Sequence, residues 1–300
     1  MLKCVRSPES HAIQGFFLAL LHTARYNVRV NLPGMMMKKT VYLFLSCLLM
    51  ASSSFLSSCR TVPVTGRSQF ILTSVEQEKA LGLSAFKEYK TKFSKSTNSA
   101  YNAAMNSCAP AIIKATEYTE YDWEYTVFNS KTQNAFCLPG GKIAVYSGLM
   151  DLMNNEAELA FVVAHEVAHA LARHGGEQSS WEQLQSLGSA IVSSQTGSAE
   201  SATAFQKASE LGVMLPFSRK HEYEADRIGM VLMAKAGYKP SAAIEFWSRF
   251  TKDSNDSIIN GWMSTHPRDV DRIQAMRANL PEAEAAYAAA PRKRGYGMSL

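Results

Sequence analysis

Cysteine is scarce in this 300-residue chain, with five in all, too few for a disulfide-dense scaffold. Long hydrophobic runs are missing too: beyond residue 58 no stretch of about 20 apolar residues offers a membrane span. Charged residues make up only 19% of the chain, and they are unevenly placed. Of 31 basic and 26 acidic residues, six basic and one acidic lie in residues 1–58, which leaves 25 of each in the remainder. A body without a positive surplus lacks the electrostatic footprint of nucleic-acid binding, so no nucleic-acid partner is expected. What is present is a globular composition, 46% hydrophobic, sufficient for one well-cored domain or two small ones.

The basic surplus belongs to an N-terminal address. Lys38-Lys39 precede residues 40–58, whose most apolar part, Val41 to Met50, is too short to span a bilayer. A charged start, a short apolar run and small residues afterwards read as a secretory signal peptide over 35–58. The run closes Leu56-Ser57-Ser58-Cys59, which resembles a bacterial lipobox. Cys59 is therefore expected to become a lipidated first residue that tethers the body to a membrane surface. Met35-Met36-Met37 is the more natural start, and residues 1–34 read as an upstream extension with no assigned function. Cys108 and Cys137 then remain as a pair, compatible with either a disulfide or two buried thiols.

Residues 60–72 read as an extended arm turning at Thr65-Gly66. Ser74 and Gln77 have capping-box spacing, which predicts a helix to about Phe93. A second helix is predicted over 98–116. Trp123 to Phe128 alternates and is rich in β-formers. Asn134–Leu138 and Ile143–Tyr146 flank Pro139-Gly140-Gly141 as two strands around a turn. From Asn155, which has capping spacing to Glu158, the pattern is helical. Residues 175–217, rich in Ser, Gly, Gln and Ala, predict weak helices that could gate a site. Helices follow over 219–236, 240–250 and 268–289, and 291–300 reads as a loose basic tail. The expected fold is α+β, mostly helical with a small β-sheet, its body over 59–290.

The informative string is His165-Glu166-Val167-Ala168-His169. Helical spacing of four puts both histidines on one face, roughly 5–6 Å apart at Cβ, so their imidazoles can converge on one metal ion. Glu166 is rotated about 100° away, beside the ion rather than on it, where it can take a proton from an activated water. The flanking Leu159 to Ala164 make the helix nearly all apolar, so His165 and Glu166 are expected to be buried. Unpartnered burial is costly, and a metal would relieve that cost. His174 lies nine residues after His165, out of phase with the metal face, and reads as structural. The ten-residue spacing of the metzincin pattern falls on Gly175. A third ligand is better sought in Ser218 to Asp226, where Glu222 and Asp226 share a helix face. Glu222 could ligate while Asp226 accepts a hydrogen bond from a ligand histidine. Read alone, that stretch is better described as a solvated charged face.

HEVAH, then SRKHEYEAD, then Ser264-Thr265-His266-Pro267, together resemble the HtpX and CAAX-prenyl-protease-like gluzincin metallopeptidases. The likeness is closest to their periplasmic lipoprotein members and the related mitochondrial inner-membrane protease. Val64-Thr65-Gly66-Arg67, Asn134-Ala135-Phe136 and Pro139-Gly140-Gly141 resemble the same subgroup, so the likeness runs over approximately 62–280. It implies a zincin-like domain holding one zinc ion through His165, His169 and Glu222, with Glu166 as catalytic base and Asp226 supporting a ligand. It also places His266 and Arg272 near the reacting groups. There His266 would stabilise an oxyanion or visit the metal as a fourth, inhibitory ligand.

Lys142–Tyr146 is expected to offer an exposed edge to an extended peptide, with Asn134, Ala135, Ile143 and Ala144 as substrate-binding residues. The family suggests misfolded or damaged envelope proteins as substrates. The expected location is the periplasmic face of a bacterial outer membrane, because Arg60 rather than Asp follows the lipobox cysteine. The rival reading is a non-catalytic, chaperone-like lipoprotein that keeps a metal as scaffold. No motif encodes an oligomeric state.

Overall fold

The computed structural model describes residues 59–252, Trp262, His266 and residues 270–300. The expected extension (1–34) and signal peptide (35–58) lie outside the described residues. Two compact units are distinguished. In the smaller, β1 (Cys59–Thr61) pairs antiparallel with β2 (Ser68–Phe70), so the arm closes into a short ladder.

The larger unit opens with α1 (Val75–Lys92). Its capping box is formed as the spacing predicts: the Ser74 hydroxyl accepts from the Gln77 amide, and the Gln77 side chain accepts from the Ser74 amide. There follow α2 (Ser99–Thr116), β3 (Glu124–Phe128), β4 (Ala135–Leu138), β5 (Lys142–Tyr146) and the short α3 (Ser147–Met150). Then come α4 (Glu156–Leu171), α5 (His174–Thr196), α6 (Ala199–Ser209) and a π-helical turn (Glu210–Met214). The chain continues in α7 (Leu215–Lys235), α8 (Ser241–Lys252) and α9 (Val270–Ala289). The class is α+β and mostly helical, as expected. Among the described residues no helix is long and apolar enough to cross a membrane.

Two expectations are corrected. The sheet order is β3-β5-β4, with β5 parallel to β3 and antiparallel to β4. β5 is therefore the central strand, and all five of its residues are buried. Its apolar run Ile143-Ala144-Val145 lacks polar alternation because both faces are covered. Ile143 and Ala144 are 0% exposed and cannot meet a substrate. β3 and β4 are the two edges, and the outer side of β4 pairs with no strand among the described residues. The second correction concerns residues 291–300, which are pinned rather than loose. The Glu156 and Ala157 amides donate to the Met298 and Tyr296 carbonyls (2.7 and 3.0 Å), and the Leu300 amide donates to Asn154 O (3.1 Å). The first amides of a helix have no partner within it, and the tail carbonyls satisfy them.

The core is built around α4, where every residue except His169 and Leu171 is buried. It packs most extensively on α7 and also touches α2, α8, β4 and β5. A helix covered on all sides is apolar all round, which accounts for its composition. The α4–α7 approach depends on Gly229: a Cβ there would stand 3.0 Å from the His165 amide nitrogen and 3.1 Å from its Cα. Glu222, Asp226 and Gly229 share one face of α7. The contact that Gly229 permits therefore carries both acids toward His165.

Candidate metal centre and active site

α4 begins on Asn155, whose side-chain oxygen accepts from the Glu158 amide at 3.1 Å. One turn separates His165 from His169, and their Nε2 atoms stand 3.1 Å apart. From α7, Glu222 places Oε2 3.5 Å from His165 Nε2 and Oε1 3.5 Å from His169 Nε2. His266 Nδ1 lies 3.0 Å from Glu222 Oε2 and 3.3 Å from His165 Nε2. One ligand atom from each of these four residues lies within 4.8 Å of all the others. Tetrahedral coordination at about 2.0–2.2 Å spaces its donors roughly 3.3–3.6 Å apart, so the donor set and spacing fit a divalent ion.

His165 is held from behind. His165 Nδ1 lies 3.0 Å from Asp226 Oδ1, which leaves Nε2 as the metal-facing nitrogen. Arg272 donates to Asp226 through Nε and Nη2, both at 2.8 Å, and its Nη1 lies 2.9 Å from Glu222 Oε2. Arg272 is 1% exposed, with its guanidinium 4.2 Å from the Trp247 ring centroid. It does not line the cleft but stands behind the two carboxylates and touches both. Glu166 stands beside the four donors. Its Oε1 accepts from Trp262 Nε1 at 2.5 Å and lies 3.2 Å from His266 Nε2. His266 thus bridges Glu166 and Glu222 with its two nitrogens. Trp262 was not expected in the site; its only signal was a place four residues before His266, whose amide donates to Trp262 O at 2.8 Å.

Burial opposes charge on His266, but Glu166 and Glu222 outweigh it and push its pKa up to about 10. Burial likewise opposes charge on His165, where Asp226 and Glu222 win and raise it. Burial dominates at His169 and, with the neighbouring histidines, holds it well below its ordinary value. Burial would raise Glu222, yet His266 and His169 hold it well below the usual carboxylate range. Asp226 is held down against burial by Arg272 and His165. A cation needs neutral histidines and an ionised Glu222; His169 and Glu222 are already shifted that way, whereas His165 and His266 would have to give up a proton to bind one.

His174 does not point away from the metal face. The helix breaks at Arg173, whose φ of 52° is left-handed and whose guanidinium is held by Glu78 at 2.8 and 3.0 Å. The new helix brings His174 Nδ1 to 2.9 Å from His169 Nδ1. In front of the centre lies a cleft of about 300 Å³, with Cys137, Leu138 and Pro139 on one wall and His169, Glu222 and His266 on the other. Of the residues expected to bind substrate, Ala135 is 2% exposed and Asn134 turns its carbonyl to the Tyr146 amide of β5. Antiparallel alternation then turns the backbone of Ala135 and Cys137 to the open edge. The Ala135 amide is taken by the Asn134 side chain at 2.9 Å. Cys108 and Cys137 are both free thiols, pushed up by burial.

A buried helix with two histidines and a glutamate, met by a carboxylate from a second helix, defines a metal-dependent hydrolase. The chain belongs to peptidase family M48, whose profile matches residues 98–280, and it is a metallopeptidase. It is 32% identical over 227 residues to the mitochondrial metalloendopeptidase OMA1 of Schizosaccharomyces pombe, covering 74% of this chain and 67% of that protein. It is 38% identical over 173 residues to the Saccharomyces cerevisiae protein of the same name, covering 55% of this chain and 49% of that one. The beta-barrel assembly-enhancing protease of Escherichia coli is 26% identical over 235 residues, covering 75% of this chain and 48% of that protein.

Proposed function

We propose that the chain is a zinc endopeptidase in which His165, His169 and Glu222 hold one zinc ion, Asp226 braces His165, and Glu166 is the general base. The convergence of three donors from α4 and α7, with Glu166 beside them, carries the reading. A zinc ion held there supplies a Lewis acid for the scissile carbonyl and acidifies a water. Glu166 takes the proton of the attacking water and returns it to the leaving amine. The Trp262 N–H and His266 hold the Glu166 carboxylate in one orientation. A protonated His266 that releases Glu166 or Glu222 could donate to the developing oxyanion, and a neutral His266 would be a fourth, inhibitory ligand.

An extended peptide pairs with the open edge of β4 through the Cys137 backbone. Cys137→Pro removes one outward amide from an edge strand, where proline is tolerated. Loss of one hydrogen bond of about 1 kcal/mol raises KM roughly fivefold, with kcat and melting temperature little changed. An unchanged KM would move substrate pairing off this edge. Backbone recognition suits unfolded chains, and the first turn of α5, which lines the cleft, supports reading 175–217 as a lid. The lipobox-like Cys59 supports a body tethered to the periplasmic face of a bacterial outer membrane, acting on misfolded or damaged envelope proteins.

The test is metal analysis of the purified protein together with cleavage of unfolded casein. One zinc per chain is expected, with cleavage abolished by chelator and restored by zinc. Cleavage that survives complete removal of metal would end the reading.

A further inference from the structure

The catalytic scheme makes no use of His174, His221, Glu177, Glu224, Thr65 or Arg67, yet their side chains form one hydrogen-bonded chain, buried over its histidines and glutamates, that ends on His169. His174, Glu177, His221 and Glu224 are each at most 8% exposed. His169 directs Nε2 at the other donors, so its proton sits on Nδ1 and is donated to His174 Nδ1 at 2.9 Å. That nitrogen of His174 therefore accepts, and its proton belongs on Nε2, which stands 3.1 Å from Glu224 Oε2. Arg67 Nε donates to the same carboxylate at 2.9 Å, and the Thr65 hydroxyl donates to its other oxygen. Arg67 also spans to Glu177 with both terminal nitrogens, at 2.9 and 2.8 Å. Glu177 meets His221 Nε2 at 3.1 Å, and the His221 ring stacks on His174 at 4.0 Å and 11°. A single arrangement of protons satisfies His169, His174 and Glu224 together.

We propose that His174 is the positioning residue of His169, relaying to it the carboxylate of Glu224, and that Thr65 and Arg67 lock this relay from the loop Val62–Arg67. Metal-binding histidines are ordinarily oriented by a carboxylate or carbonyl on the second ring nitrogen. His165 has such a partner directly in Asp226. His169 obtains the same effect through an intervening imidazole, whose rotation is blocked on one face by His221. The break at Arg173 returns the chain to this position. The inference rests on the reading of His169 as a metal ligand.

The experiment measures zinc affinity of the full chain by competition with a chromogenic chelator, together with the melting temperature of the metal-free protein. His174→Leu keeps the volume and removes both ring nitrogens; it is expected to weaken zinc binding about 10–100-fold, as loss of such a partner does elsewhere. The metal-free melting temperature stays near that of the parent. His174→Gln offers an amide oxygen to His169 and an amide N–H to Glu224, and recovers most of the lost affinity. Wild-type affinity in His174→Leu, or a His174→Gln variant as weak as His174→Leu, overturns the proposal. If His174→Leu does not fold, Glu224→Gln decides: it weakens the anchor of the relay and must lower zinc affinity, and an unchanged affinity overturns the proposal. A parent chain that takes up no zinc overturns the metal reading itself, which the variants do not address.

Discussion

Replacing Glu166 with Gln is expected to lower kcat by about 10²–10⁴-fold while the variant keeps its metal. The amide has the shape of the carboxylate, and its oxygen can still accept from Trp262 Nε1, so the pocket is not disturbed. What is lost is the ability to carry a proton from water to the leaving amine. Glu166 is only 4% exposed, so bulk buffer bases cannot easily take its place. Casein turnover and zinc content of the same preparation check the result. Cleavage within a few-fold of the parent would place the base elsewhere. A variant that binds unfolded chains as before, beside a parent that cleaves nothing, would favour the chaperone-like alternative.

The second large effect is expected in stability. Arg272→Leu should cost about 3–5 kcal/mol in the metal-free protein, because it leaves the buried Asp226 without its main cation and takes one donor from Glu222. Arg272 touches both carboxylates and lies over Trp247, so charge compensation and packing are lost together. Zinc, by neutralising Glu222, should shrink the loss. Adding Asp226→Leu removes one stranded charge and should recover part of it, so the two substitutions will not be additive. Urea unfolding of both variants, with and without zinc, gives the comparison. A single variant within 1 kcal/mol of the parent would show that Arg272 is not the cation that compensates these acids.

The parts that could be read from the residues are local. The capping box at Ser74, the Asn155 cap and the placement of His165, Glu166 and His169 on one helix depend on contacts within a turn or two of the chain. Even the full burial of α4 was legible, since a helix without a polar face has to be covered on every side. The loose tail was misread because its residues are basic and small. What holds them is the row of unpartnered amides at Glu156 and Ala157, which lies far away in sequence.

Sequence alone determined that this chain carries a helix able to offer two imidazoles to a metal with a glutamate beside them, because helical period and covalent geometry dictate which side chains share a face. Tertiary structure decided the rest. It brought Glu222 to those imidazoles through the close approach at Gly229, chose β4 rather than β5 as the open edge, set Trp262 on Glu166 and returned His174 to His169 past Arg173. Each of these depends on which surfaces bury one another, and burial is settled by the whole chain at once rather than by any segment of it.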